Sequence, residues 1–158
     1  MKLASPVFKP NDKIPAKYTC DGQDLSPPLQ IADVPTQAKS LVLIVDDPDA
    51  PGGDFVHWTI WNIDPKTTVI AENSLPTGIA SAGTDSALAI EGKTDFGKNG
   101  WGGPCPPSGI HHYHFKLFAL DAVLDLKTSA AKNEIKKAMH GHVLAQTELV
   151  GLYQRAKS

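Results

Sequence analysis

The chain has 158 residues, of which 41% are hydrophobic and 20% charged, with a net charge of −2. That is the profile of one ordinary globular domain, 1–158, large enough to bury a sizeable core. It excludes a basic nucleic-acid surface and an acidic tail, and no run approaches the ~18 apolar residues of a membrane helix.

The opening "MKLASPVFKP" lacks an apolar stretch, so it does not read as a secretory signal, and a cytoplasmic location is expected. Residues 3–8, "LASPVF", suit a short edge strand, because Pro6 cannot donate to a central ladder. A loop dense in breakers follows, with a short strand near Leu29–Ile31. "SLVLIVDD" (40–47) reads as a strand buried on both faces, and "FVHWTIWNI" (55–63) as a second. The short link between them predicts antiparallel neighbours. Residues 64–112 are weakly patterned, with short strands expected in "GIASAG" and "ALAIEG". "YHFKLFAL" (113–120) is the third clear strand. The spacing of Ile135, Ala138 and Met139 predicts a helix over 129–140, capped by Thr128 or Ser129 and ended by Gly141. "VLAQTELVGLYQ" (143–154) suits either a continued helix or a last strand. The expected fold is mainly all-β: two antiparallel sheets in a sandwich, long loops and one C-terminal helix. Cys20 and Cys105 are too few for a disulfide framework and read as free thiols in a reducing cytosol. Both fall in loops beside the candidate site, so their meeting in space stays open.

Four features suggest chemistry, each with a plainer reading beside it. Asp46, Asp47 and Asp49 follow a buried strand and sit among Pro48 and Pro51. They form either a solvated turn or a rigid polar rim. His57 alternates with Trp58, so the two should face opposite sides, His57 sharing one with Thr59 and Trp61. A lone strand histidine is more often a satisfied core or surface residue. In "GIHHYHF", His111, Tyr113 and Phe115 share one strand face and His112, His114 and Lys116 the other. The first set can point into a pocket; the second presents two imidazoles to a metal; or all the histidines form a polar strand end. The loop "WGGPCPPSG" is rigid at its prolines and open to close approach at its glycines, which suits a shaped wall or a tight exposed crossover.

Taken in order, "DLSPPL", "KSLVLIVDDPDAP", "HWTIWNI", "TDFGKNGWGGPCPPSGIHHYHFKLFALD" and "AMHGHVLAQTELVGLY" resemble the phosphatidylethanolamine-binding protein family, which includes the Raf kinase inhibitor proteins. The resemblance spans nearly the whole chain and favours the compact bacterial and archaeal branch. It implies two antiparallel sheets and a small pocket for anions such as phosphate and phosphoethanolamine. By position, the implied lining is Asp47, Asp49, His57, the Cys105–Pro106–Pro107 wall, His111 and Tyr113. Animal members carry "HRY" where this chain has His111–His112–Tyr113, and their gating C-terminal extension is not expected here. Kinase-inhibitor behaviour is accordingly less supported than anion binding.

The expected function is a non-catalytic binding protein for phosphoethanolamine, a phospholipid headgroup or a phospho-side chain, able to modulate a partner enzyme such as a kinase or protease. Its expected chemistry is charge-assisted: imidazolium forms of His57 and His111 meet the anion, Tyr113 caps it, and Asp47 either orients a histidine and raises its pKa or meets the ammonium end of a zwitterion such as phosphoethanolamine. No cofactor or metal is implied. A protein partner and a homodimer are both compatible with this reading; nucleic acid and integral membrane insertion are not. The alternative is a hydrolase using a metal on His112 and His114, or Cys105 as nucleophile. Strand parity separates them, since only one of the two histidine sets can face the pocket.

Overall fold

The computed structural model describes residues 1–74 and 89–156. Its large sheet has five antiparallel strands in the order β6-β4-β3-β7-β8: β3 (Ser40–Asp47), β4 (Phe55–Ile63), β6 (Ile90–Glu91), β7 (His111–Leu120) and β8 (Val143–Tyr153). The small sheet has three, β1 (Lys2–Ala4), β2 (Leu29–Ala32) and β5 (Val69–Ile70), in the order β1-β2-β5. The two sheets share one core, in which Leu3, Leu29, Ile31 and Ile70 meet Leu43, Val45, Trp58 and Phe115. The β sandwich expected from the sequence is therefore the fold.

The unbroken apolar run of β3 has a direct cause. Leu41, Leu43 and Val45 face the sandwich core, while Val42 and Ile44 face a second cluster with Trp61, Ile135 and Met139. Helix α1 (Lys132–Met139) supplies that outer cover, so every residue of β3 is buried.

The expected helix at 129–140 starts three residues late. Ala130 is buried in the outer core, and its carbonyl accepts the Lys93 N–H at 3.2 Å, which holds that segment in a turn. Ala131 becomes the N-cap, and Glu134 reaches back to its N–H at 3.4 Å. Gly141, at φ +82°, ends the helix as expected. That break also decides the segment after it: Val143–Tyr153 pairs along β7 as a strand. The first strand stops at Ala4, short of Pro6. β5 falls in a stretch where no strand was expected, and β6 takes part of "ALAIEG". "GIASAG" lies outside the described residues.

The expectation of free thiols is overturned. Cys20 and Cys105, 85 residues apart, form a disulfide. Two hydrogen bonds bring their loops together: Cys20 N–H to the Pro104 carbonyl at 3.1 Å, and Gly103 N–H to Asp24 Oδ1 at 2.9 Å. Counting cysteines carries no information about such a contact between distant loops. Among the described residues no helix is long and apolar enough to cross a membrane.

Candidate functional site

The ends of β3, β4 and β7 converge beside the Pro/Gly loop, and an irregularity in pairing aims the key histidine. Val45 pairs with Trp58 but Asp46 pairs with Val56, so His57 is the extra residue of a β-bulge. Strict alternation fails there. Trp58 enters the sandwich core with Tyr113, and the His57 ring also meets Tyr113, edge-on at 5.2 Å. The expected grouping of His57 with Thr59 and Trp61 is thereby corrected. Alternation holds on β7, where His111 and Tyr113 are buried and His112 is exposed.

The buried Asp47 carboxylate organises the floor. Its Oδ2 accepts a hydrogen bond from His111 Nδ1 at 2.6 Å, and its Oδ1 accepts the Asp49 N–H at 2.8 Å. One carboxylate thus orients an imidazole and folds the acidic proline loop onto itself. With Nδ1 committed, Nε2 is the remaining hydrogen-bonding position of His111.

His57 is held differently. Its Nδ1–H donates to the Gly102 carbonyl at 2.5 Å, and Gly102 N–H donates back to the His57 carbonyl at 3.1 Å. A side chain at Gly102 would run into the Phe96 ring, which would have to move from its place against His57. Burial pushes the His57 pKa below its ordinary value, outweighing the opposing pull of the Gly102 carbonyl and the Asp47 charge. In the unliganded site His57 is therefore neutral near pH 7, which corrects the expectation of an imidazolium at this position.

Tyr113 is 1% exposed, and its hydroxyl has no hydrogen-bond partner in the protein. Asp47 stands near enough to act on the phenol electrostatically without satisfying the geometry of a hydrogen bond. Burial, reinforced by that charge, pushes the Tyr113 pKa far up and keeps the proton in place.

These groups line a cavity of about 170 Å³. Asp47, His57, His111 and Tyr113 supply its polar groups; Cys105, Pro106 and Pro107 form one wall; Ala50, Pro51, Phe55 and Phe96 complete it. Larger depressions of about 360 and 430 Å³ lie beside Gln154–Ala156, but no comparable group of buried polar side chains lines them.

Seven of the eight sequence-nominated residues thus surround one cavity, and Asp49 does not. Its carboxylate turns outward and accepts both the backbone N–H and Nδ1 of His112, at 2.8 and 2.6 Å. Those hydrogen bonds hold its pKa below the usual value. His114 pairs separately with Glu148 at 3.0 Å. The two outer histidines therefore serve different carboxylates, and among the described residues no cluster of three or more His, Cys, Asp or Glu is arranged to hold a metal ion. Cys105 presents a disulfide sulfur rather than a thiol, so it is no nucleophile in this state. Phe55 and Phe96 were not nominated. They meet edge-on at 4.8 Å and both pack on His57, a grouping made by chain segments about forty residues apart.

A family model for the phosphatidylethanolamine-binding protein matches residues 4–154. A UPF0098 protein of Pyrococcus horikoshii is 53% identical over 159 residues, which cover 98% of this chain and 77% of that one. Another, from Methanothermobacter thermautotrophicus, is 48% identical, with 98% and 99% covered. Among solved structures, a phosphatidylethanolamine-binding protein homologue from Chlamydia trachomatis superposes with a TM-score of 0.88 at 38% identity, covering 98% of this chain and 97% of its own. YbcL of E. coli, described as a member of the mammalian PEBP family, gives 0.85 at 29% identity, with 98% of each chain covered.

Proposed function

The chain belongs to the phosphatidylethanolamine-binding protein family, and from that premise we propose that it is a non-catalytic binding protein whose cavity takes a phosphate-type anion. The observation that carries the reading is the Tyr113 hydroxyl, a buried donor in the cavity wall with no partner in the protein. An unpaired buried polar group costs about 1–3 kcal/mol, and a ligand oxygen would remove that cost. The volume, about 170 Å³, lies below the ~300 Å³ at which pockets for drug-sized ligands begin, so the occupant is a headgroup-sized fragment.

The polar groups divide the work. Tyr113 donates to one oxygen. His111, held through Nδ1 by Asp47, offers Nε2 to another. His57, neutral with its hydrogen committed to Gly102, leaves Nε2 as an acceptor, suited to the protonated oxygen of a monoanionic phosphate ester. For phosphoethanolamine, the ammonium end meets the Phe55 and Phe96 rings. Asp47 is already engaged twice. In this reading the protein acts by docking, on a lipid headgroup, a free phosphorylated molecule or a phospho-side chain, and a partner enzyme would sense whether the cavity is filled.

Titration calorimetry with phosphoethanolamine and with inorganic phosphate tests it. Each of Tyr113→Phe and His111→Ala removes a charge-assisted hydrogen bond worth roughly 1.5–3 kcal/mol, about 10–150-fold in Kd. Equal affinity in the parent and both variants would rule the cavity out as the binding site.

A further inference from the structure

We infer that the Cys20–Cys105 disulfide is a redox latch on this cavity: a dithiol reductant opens it, the 105–110 wall loosens, and ligand affinity falls. The affinity half of this statement rests on the anion-binding reading; the wall half does not.

Cys105 is part of the cavity lining; after it Pro106 is buried, and residues 107–110 are exposed. Pro106 and Pro107 have no N–H to donate. Among the described residues, no hydrogen bond involves the backbone of 105–110. Regular pairing resumes only at His111, opposite Tyr153. The wall is therefore a span fixed at one end by β7 and at the other by the disulfide, with the Cys20 N–H to Pro104 bond just upstream.

The other half of the latch is firm. The residue after Cys20, Asp21, accepts the Tyr153 hydroxyl at 2.7 Å and also pairs with Arg155. Thr19 is fully buried, and its hydroxyl donates to the Ala16 carbonyl at 2.9 Å. The cross-link thus ties a loosely held wall to a segment anchored on β8.

Both cysteines are exposed, so a dithiol can reach the bond. Its thiolate attacks one sulfur to give a mixed disulfide and releases the other as a thiol. The second thiol of the reductant then closes on the first. Cys20 and Cys105 gain two electrons and two protons, and the reductant leaves as its own disulfide. The released wall must be ordered again whenever a ligand binds, and that cost appears as weaker affinity.

The experiment uses the full chain with its disulfide intact or reduced by dithiothreitol, the redox state being read from the mass added by a thiol alkylating agent. Phosphoethanolamine affinity is measured by calorimetry in both states, and amide exchange at Cys20 and Gly103 by NMR. Circular dichroism checks that the sandwich persists. The reduced protein should bind about tenfold more weakly, and both amides should exchange faster. Cys20→Ser combined with Cys105→Ser should behave as the reduced protein in either buffer. Equal affinities in the two redox states overturn the latch, as does a bond that dithiothreitol cannot open in the folded protein. If neither state binds phosphoethanolamine, the anion reading falls, and the amides decide: faster exchange on reduction keeps the latch as a device of the wall, and unchanged exchange removes it.

Discussion

Asp46 and Asp47 are neighbours at the end of one strand, both buried, yet they belong to opposite kinds of site. Asp46 points to the outer face and is neutralised there: Lys132 approaches at 2.6 Å and Lys116 at 3.2 Å, and Lys132 also pairs with Asp54. Burial pushes the Asp46 pKa up, but the two ammonium groups outweigh it and bring it below the usual value. Asp47 points inward, to a single histidine, a neutral imidazole and an unpaired phenol. The outer cluster pairs its charges internally and ties α1 to the sheet. The inner cluster leaves donor and acceptor positions open to a small cavity. Neither burial nor a lone unpartnered atom marks a binding site, since Asp46 Oδ1 also lacks a partner; open polar positions that converge on one cavity do.

The sharpest way to break this contrast is Asp46→Ala. It leaves Lys116 without its carboxylate and Lys132 with Asp54 alone, and should cost about 1.5–3 kcal/mol in denaturant unfolding. Phosphoethanolamine affinity should persist in the protein that remains folded. Because the folded-state pKa of Asp46 is depressed, its contribution is complete above about pH 4 and lost as pH falls through the folded value. The acid limb of a stability profile should flatten in the variant. A loss of affinity as large as that of Tyr113→Phe would merge the two faces into one site.

Tyr113→Phe sharpens the inner half of the comparison. In the ligand-free protein it removes an unpaired buried hydroxyl, so unfolding should show stability unchanged or raised by about 1 kcal/mol. A clear loss of stability without ligand would mean the hydroxyl already has a partner, and the main support for the cavity would go.

His57→Gln tests a subtler consequence. Burial lowers the His57 pKa, so as pH falls below about 6.5 the unfolded chain takes up a proton that the folded one resists. Stability gained above that value is lost on the acid side, as pH falls through the folded pKa. As pH falls below about 6.5 the parent should lose stability faster than the variant. Parallel profiles would show that His57 titrates as freely in the folded protein as in the unfolded one.

The smallest effect belongs to the outer rim. The His112–Asp49 pair is half exposed, so His112→Ala should change stability by less than about 1 kcal/mol and leave ligand affinity alone. An affinity loss would return Asp49 to the site from which the geometry removes it.

Much of the molecule was legible in the sequence because its signals are local. The apolar run of 40–47 and the β-branched and aromatic run of 55–63 give strand ends matching those observed. Alternation put His111 and Tyr113 on one face and His112 on the other, and the structure shows the first face to be the buried one. The cavity residues were nominated by the ordered motifs, through resemblance, rather than by spacing alone. Residues 143–153 were ambiguous because their composition suits two structures, and the break at Gly141 together with pairing to β7 decided between them.

By itself, then, the sequence determined the three central strands and which β7 side chains share a face, since these follow from side-chain period. Only the tertiary structure decided that His57 turns inward, because a bulge depends on how two strands pair. Only it decided that His57 is neutral, because desolvation is the work of surrounding chain. It alone parted Asp49 from Asp47 and joined Cys20 to Cys105, since both outcomes depend on which distant backbone groups arrive within hydrogen-bonding reach. Those contacts form only when loops far apart in the chain fold against one another, and no local pattern encodes them.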